Sequence, residues 1–426
     1  MAHAKPGSHQ SVNTETTAAV ARRRTAGALV AIVAAAFNLR IAVVAVGPVL
    51  DQIRSDTGMS PTLAGALGAI PFLCMGLFAQ AGVPVIRRFG ARTSIAAALA
   101  LIVVSTLARS VMPTAALIVV ATVPIGIAIA LIGLALPGEI KRSFSARTGA
   151  GTGAYVAALS VGASLTALMM VPLADALGGW RSAFAVSVLP TIVALPLWLL
   201  LPQQEGSAPI NVTVREGAGG DRHQVMPSRR GWLLAAIFGL QSMCYAAVIN
   251  WIAALYVHAG WSAGTAAFAT AAVSILTVPA ALVIPSLSDG HDRGRWLLGA
   301  ALAMGGGMLG LAFAPTVASW LWIIVFSVGS GAMFPLALTL PLDLGDNERS
   351  VTELMAWMLG FGYILSASGP LVVGGLYDLT GGFVLPMALL GVFGTFSGII
   401  ALAPGLRPRV LSRRYSAVPG DADTRR

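Results

Sequence analysis

Charge is scarce in this sequence: of 426 residues, 10% are Asp, Glu, Lys or Arg, against 56% that are hydrophobic. A soluble domain of this size covers its surface with polar groups and carries about 25% charged residues. So little charge excludes that class, and the solvent this chain is built for is lipid. Cysteine is nearly missing. Its two copies, Cys74 and Cys244, fall inside apolar runs, which excludes a disulfide framework and a cysteine metal site. Also missing are a nucleophile elbow, a phosphate-binding glycine loop, zinc-ligand spacing and a paired-histidine motif. His258 and His291 read as isolated loop residues. With no polar stretch long enough for a soluble catalytic domain, the sequence does not describe an enzyme, and no catalytic residue, cofactor or metal is expected. Lysine is rare too, two against 25 arginines, a bias that points through codon usage to a GC-rich bacterial genome.

What is abundant is apolar runs of about twenty residues, long enough at ~1.5 Å per residue to cross a hydrocarbon core of about 30 Å. Twelve are present, at 26–49, 62–84, 93–111, 115–137, 149–172, 182–201, 231–257, 264–286, 296–314, 318–341, 351–375 and 383–403. Residues 1–24 are polar and contain no short apolar segment with a cleavage site, so they read as a tail and the first run as an uncleaved anchor. The net charge of +10 invites a nucleic-acid reading, but it alternates loop by loop. With the first tail inside, cytoplasmic segments hold 23 of the 27 Lys and Arg, and the opposite loops hold three, Arg54, Arg109 and Arg181. This positive-inside pattern places both termini in the cytoplasm. The loop after the tenth run dissents, since Asp343, Asp346 and Glu348 outnumber Arg349, though acidic residues weigh little in the rule. The basic tail, 405–426, suits anionic lipid headgroups better than a nucleic acid.

The polar stretch 202–230 divides the runs six and six and reads as a cytoplasmic linker between bundles at 25–201 and 231–404. A repeat crosses it. Gly58-Met59-Ser60 matches Gly260-Trp261-Ser262 at an offset of 202, Leu136-Pro137 matches Leu340-Pro341 at 204, and Leu173 to Trp180 matches Leu376 to Phe383 at 203. Three matches near one spacing, each at the equivalent loop, predict two halves of equal orientation related by a pseudo-two-fold axis along the membrane normal. The seam between them is then a solute path that rocking can open to either side. Glycine (48) and proline (24) inside the runs fit close helix packing and ordinary membrane-helix composition.

Arg40 is the most informative residue. Counted from Arg24 to Asp51, it stands about 24 Å from the inner end of the first run and about 16 Å from the outer. A cation that deep costs ~2.5–3.5 kcal/mol or more, so it either faces a wet cavity or a partner, or snorkels away. No acidic residue stands at a similar depth in another run, and a guanidinium there offers a fork of donors to an anion. Asn38 lies about 200° round the same helix and reads first as a packing residue. Further polar and aromatic candidates are Gln241 and Tyr245 on one face of the seventh run, with Asn250 and Trp251 nearer its end. Trp357, Tyr363 and Ser366 lie in the eleventh run, and Tyr155, Ser160 and Ser164 in the fifth. Each serves equally well as interhelical glue. Glu353 could carry a proton, but Ser350-Val-Thr-Glu353 is also a capping box opening the eleventh helix. Glu139, beside Lys141 and Arg142, reads as an interfacial ion pair.

The loop Gly82-Val-Pro-Val-Ile-Arg87-Arg88-Phe-Gly90-Ala-Arg92 resembles the basic loop signature of the major facilitator superfamily, with Ile86 in place of the usual acid. Its second-half counterpart, Ser286-Leu-Ser-Asp289-Gly-His-Asp-Arg293-Gly-Arg295, keeps an Asp. Within that superfamily the chain resembles the cyanate and nitroimidazole transporter family. The likeness rests on Asn38-Leu-Arg40 with Gly47-Pro48, Leu136-Pro-Gly-Glu-Ile-Lys141-Arg142, Gly153-Ala-Tyr155, Gly239-Leu-Gln241-Ser-Met-Cys-Tyr245, Trp251, Gly362-Tyr363 and Gly369-Pro370. The resemblance implies an all-α membrane protein, twelve transmembrane helices in two six-helix bundles, acting as a secondary transporter of the bacterial inner membrane. Its substrates would range from a small inorganic anion to a nitro-heterocycle. Expected to touch solute are Arg40, Asn38, Tyr155, Gln241, Tyr245, Trp357 and Tyr363. Expected to latch the loops are Arg87, Arg92, Glu139, Arg142, Asp289, Arg293 and Arg295. The expected partners are a small, anionic solute and the bilayer, with proton coupling open and a monomer as the working unit. Efflux or uptake of a drug or nitro-heterocycle is the alternative, and a receptor that has kept the fold is a third reading.

Overall fold

Hydrocarbon offers a peptide group no hydrogen-bond partner, so each apolar run has to close its own ladder as a helix. In the computed structural model every regular element among the described residues, 8–144, 148–200, 229–288, 292–345 and 348–406, is helical. The first half comprises α1 (Ser8–Val44), a 3-10 turn (Gly47–Val49), α2 (Leu50–Thr57), α3 (Pro61–Phe89), α4 (Ala91–Val111), α5 (Ala115–Ser143), α6 (Thr148–Ala176), α7 (Trp180–Val186) and α8 (Leu189–Leu200). The second comprises α9 (Arg229–His258), α10 (Ala263–Ser288), α11 (Arg293–Phe313), α12 (Ser319–Leu344), α13 (Glu348–Thr380) and α14 (Val384–Ala401). Among the described residues twelve stretches are long and apolar enough to cross a membrane, as the twelve runs predict. Most of the expected linker (202–228), residues 1–7 and 407–426 of the tails, Leu201, Asp289 and His291 lie outside the described residues.

Helix ends depart from the apolar runs where propensity, not hydropathy, decides. The first helix starts at Ser8, inside the stretch read as a tail, because no Gly or Pro interrupts the chain until Gly27. The eleventh starts at Glu348, so Ser350 is already inside it and the expected capping box does not open the helix. Two runs are broken. The first bends at Gly47-Pro48, where Pro opens a 3-10 turn, and the sixth breaks before Pro190, whose ring and missing N–H interrupt the ladder.

The repeat has a structural reason. Gly58 (φ 64°) and Gly260 (φ 93°) take up left-handed conformations that end the preceding helices. Ser60 and Ser262 then accept hydrogen bonds from the amides of Leu63 and Thr265, both at 3.3 Å. After the fifth and eleventh crossings Gly178 and Gly381 turn the chain in the same way, delivering Trp180 and Phe383 into buried positions.

The halves meet through α3 against α13 and α6 against α10, one contact made twice under the repeat. With lipid as apolar as Leu, such contacts depend on close backbone packing. A Cβ at Gly374 would stand 2.2 Å from the Pro61 carbonyl oxygen, and one at Gly65 would stand 2.4 Å from that of Pro370. At this end Thr62 donates its amide to Asp378 Oδ2 at 2.8 Å, and its hydroxyl to the same oxygen. The Arg54 guanidinium lies 5.5 Å over the Tyr377 ring. Tyr377 in turn packs on Phe383 at 4.7 Å and on Trp251 at 6.5 Å. His258, expected alone in a loop, is the last residue of α9 and joins this cluster, its Nδ1 3.4 Å from the Tyr377 hydroxyl.

Gly374→Ala should therefore destabilise the detergent-solubilised protein by about 1–3 kcal/mol, read as a lowered Tm. Gly375→Ala is the control, since its Cβ would meet nothing nearer than Thr62 Oγ1 at 3.9 Å. Equal melting of the two variants would show that α3 and α13 are not held together this closely.

Candidate functional site

Beneath the sealed end the halves part around a cavity of about 220 Å³. Arg40 enters it from α1, which packs tightly on α6: a Cβ at Gly162 of α6 would come within 2.4 Å of the Phe37 carbonyl oxygen. The guanidinium lies 5.6 Å from the centre of the Tyr245 ring and acts electrostatically on the phenols of Tyr155 and Tyr363. No ion pair or hydrogen bond engages it among the described residues, and it is the one formally charged group among the described residues of the cavity wall. Any solute with negative charge thus meets a single fixed cation whose donors are uncommitted.

Five of the seven residues expected to touch solute line this space: Arg40, Tyr155, Gln241, Tyr245 and Tyr363. The other two do not. Asn38 is 1% exposed and turned into the first bundle, where it serves the break before α8. Its Oδ1 accepts from the Thr191 hydroxyl at 2.7 Å, and its Nδ2 donates to the carbonyls of Ala34 (2.8 Å) and Pro190 (3.4 Å). Trp357 packs edge-on to Trp232 at 5.2 Å and against Phe361 at 4.3 Å, away from the cavity. Ser164 bonds across the halves to the Ala271 carbonyl at 3.2 Å, and Trp251 donates to the Pro370 carbonyl at 3.1 Å, so both hold the frame.

Sequence reasoning missed Phe72 and Phe334, two further rings of the wall, and Ser274, Thr277 and Ser330. The Ser330 hydroxyl is buried and finds no partner. Its carbonyl takes a long bond, 3.5 Å, from Gln241 Nε2, while Gln241 Oε1 accepts from the Ser242 hydroxyl at 3.0 Å. Polarity is therefore divided. The first half supplies the cation, and the second supplies most of the hydroxyl and amide groups.

The loop residues fall into two matching charge clusters at the end opposite the seal. In the first half Glu139 pairs with Arg142 and feels Arg92, whose guanidinium donates to the Leu199 carbonyl at 2.6 Å. In the second, Arg293 pairs with Asp343 at 2.5 Å, and Arg295 stands 3.7 Å from Asp292. Glu139 and Asp343 each follow the repeated Leu-Pro by two residues. Ile86, in the place of the usual acid, is buried in the core of the first bundle, and Arg87 lies exposed at the end of α3.

Asn38→Leu should lower stability by about 1–3 kcal/mol, because it strands the Thr191 hydroxyl and the Pro190 carbonyl. Ligand affinity of the folded protein should not change. A shift in affinity larger than about twofold, measured by calorimetry at saturating folded fraction, would place Asn38 at the solute after all.

Residues 28–352 match the family model of the Major Facilitator Superfamily. The chain is 31% identical over 384 residues to the cyanate transport protein CynX of Escherichia coli (strain K12), covering 90% of this chain and 98% of that protein. It is 30% identical over 371 residues to the 2-nitroimidazole transporter of the same organism, covering 87% and 93% respectively. Among solved structures, a D-xylose-proton symporter superimposes with a TM-score of 0.71, spanning 90% of this chain and 99% of that one. Its identity is 18%, so the likeness speaks for the fold alone.

Proposed function

The chain belongs to the major facilitator superfamily, as a small-solute transporter related to cyanate and nitroimidazole transporters and not an enzyme; from that membership we propose that it carries a small anionic solute across the bacterial inner membrane by alternating access. One observation carries the reading: the uncommitted guanidinium of Arg40 in a cavity between the two halves. A buried cation without a counter-ion is costly, and an anion arriving from water removes that cost. Charge alternation along the sequence supports cytoplasmic termini, which makes the sealed end the periplasmic one. The cavity lies wholly within one chain, which supports a monomer as the transporting unit. The cyanate relative supports an anionic solute. Proton coupling, where it operates, has to run through carboxylates at helix ends such as Glu139, because no Asp, Glu or His lines the cavity among the described residues.

A second reading, passage of a nitro-heterocycle, draws on the 2-nitroimidazole relative and on the ring-lined wall. Arg40→Gln separates the two. Uptake of radiolabelled anions into proteoliposomes should fall roughly ten- to hundredfold, the worth of a charge-assisted hydrogen bond. Unchanged anion uptake would remove the anion site and leave the heterocycle carrier. Binding without counterflow of any bound solute would point instead to a receptor.

A further inference from the structure

A second opening lies away from the central cavity, and we infer that it holds one acyl chain of an anionic phospholipid, with the headgroup phosphate at Arg295 and Trp296. This groove of about 330 Å³ runs between α10, α11 and α12 at the end opposite the seal. Ile284, Arg295, Trp296, Gly299, Ala303 and Val328 line it. Gly299 is exposed and Val328 is 39% exposed, while α11 packs on α12 and α14 of its own half. The groove therefore opens on the outer surface of a chain that crosses a membrane, where lipid is the solvent.

Shape is the first argument. At Gly329, α12 touches α11 so closely that a Cβ would stand 2.3 Å from the Met304 amide nitrogen, whereas a Cβ at Gly299 would meet nothing within 4 Å. The close approach makes the floor of the groove, and the missing side chain of Gly299 leaves it open. Beyond Arg295 and Trp296 the walls are apolar, so water finds no polar partners there. Left empty, the same walls would forfeit their dispersion contacts. A flexible hydrocarbon chain supplies those contacts. From Arg295 the groove follows α11 past Gly299 to Ala303, about 12 Å along the helix, which is the course of an acyl chain from its headgroup toward the bilayer centre.

The mouth is the second argument. The Arg295 side chain is 85% exposed, and its contact with Asp292 uses Nε at 3.7 Å, leaving both terminal amino groups unengaged among the described residues. The indole N–H of Trp296 likewise makes no hydrogen bond among the described residues. A guanidinium offers phosphate a planar fork, and tryptophan settles at headgroup level with its N–H toward the polar side. The repeat sharpens the point. At its offset of 203 the counterpart of Arg295 is Arg92, which donates to the Leu199 carbonyl at 2.6 Å, and the counterpart of Val328 is the fully buried Ile125. The first half satisfies internally the positions that the second leaves open to lipid.

The test is native mass spectrometry of the purified full-length protein in mild detergent, with equal amounts of dioleoyl-phosphatidylglycerol and dioleoyl-phosphatidylethanolamine added. One phosphatidylglycerol should be retained, preferred roughly fivefold over the zwitterionic lipid, the worth of one arginine at a headgroup. Gly299→Phe, which fills the groove, should abolish that retention. Gly264→Phe is the control, since a Cβ at Gly264, at the other end of α10, also meets nothing within 4 Å, and it should retain the lipid as the unaltered protein does. Arg295→Gln should keep one bound lipid and lose the preference for phosphatidylglycerol. Should Gly299→Phe fail to fold, a phosphatidylglycerol with a photoreactive acyl chain should label α11 between Gly299 and Ala303 in the unaltered protein; labelling spread evenly over the outer helices would overturn the site. Retention that survives Gly299→Phe would overturn it as well. Equal retention of the two lipids, indifferent to Arg295→Gln, would mean ordinary bilayer contact only and overturn the headgroup assignment.

Discussion

A guanidinium held in hydrocarbon without a counter-ion is costly, and the arrangement of helices around Arg40 answers that constraint. The cavity gives it water or solute, Tyr245 gives it a ring face, and the absence of an acid among the described wall residues keeps its charge available. An acidic partner at the same depth would have been simpler for stability. It would also have neutralised the one group that distinguishes this space from a gap between apolar helices. The cost of the bare cation is therefore carried by the rest of the fold, chiefly by the close packing that seals one end and keeps α1 in place.

That packing is symmetric, whereas the chemistry is not. The glycine turns and serine caps at Gly58 and Gly260, the α3–α13 and α6–α10 contacts, and the acids following Leu136-Pro137 and Leu340-Pro341 all occur once per half. At the repeat's offset of 203 the counterpart of Arg40 is Met243, which is buried. Asn38 corresponds likewise to Gln241, yet one amide braces a helix break while the other lines the cavity. Duplication supplied a two-fold frame, and departures from the repeat supplied the site.

This division explains what could be read from sequence. The frame was legible because it is built from strong local signals: runs long enough to span lipid, and glycines that readily tolerate positive φ. Arg40 was legible because a cation in an apolar run is conspicuous. Trp357 was not, since a tryptophan in a lipid-crossing helix looks the same whether it faces a cavity or, as here, Trp232 and Phe361. Ser330, Ser274 and Thr277 gave no signal either, because serine and threonine are common interhelical glue and their direction depends on helix rotation. The start of α1 at Ser8 was missed for a different reason. Hydropathy marks where a helix meets lipid, and says nothing of how far it continues into water.

The proposed alternating access sets one further requirement on such a frame. The two ends must be able to exchange closed and open states, so neither can be held by interactions far stronger than the solute's own contribution. The sealed end meets this requirement through its materials. Thr62 with Asp378 and Arg54 over Tyr377 are polar or half-exposed contacts whose loss water can compensate, and the close glycine approaches depend on shape alone. At the opposite end the pairs Glu139 with Arg142 and Arg293 with Asp343 each lie within one half, so these two stiffen the bundles without tying them to one another. Rigid halves joined by replaceable contacts are what rocking about a fixed site needs. A solute held by Arg40 of the first half against the polar groups of the second is, under that proposal, a direct mechanical link between the two.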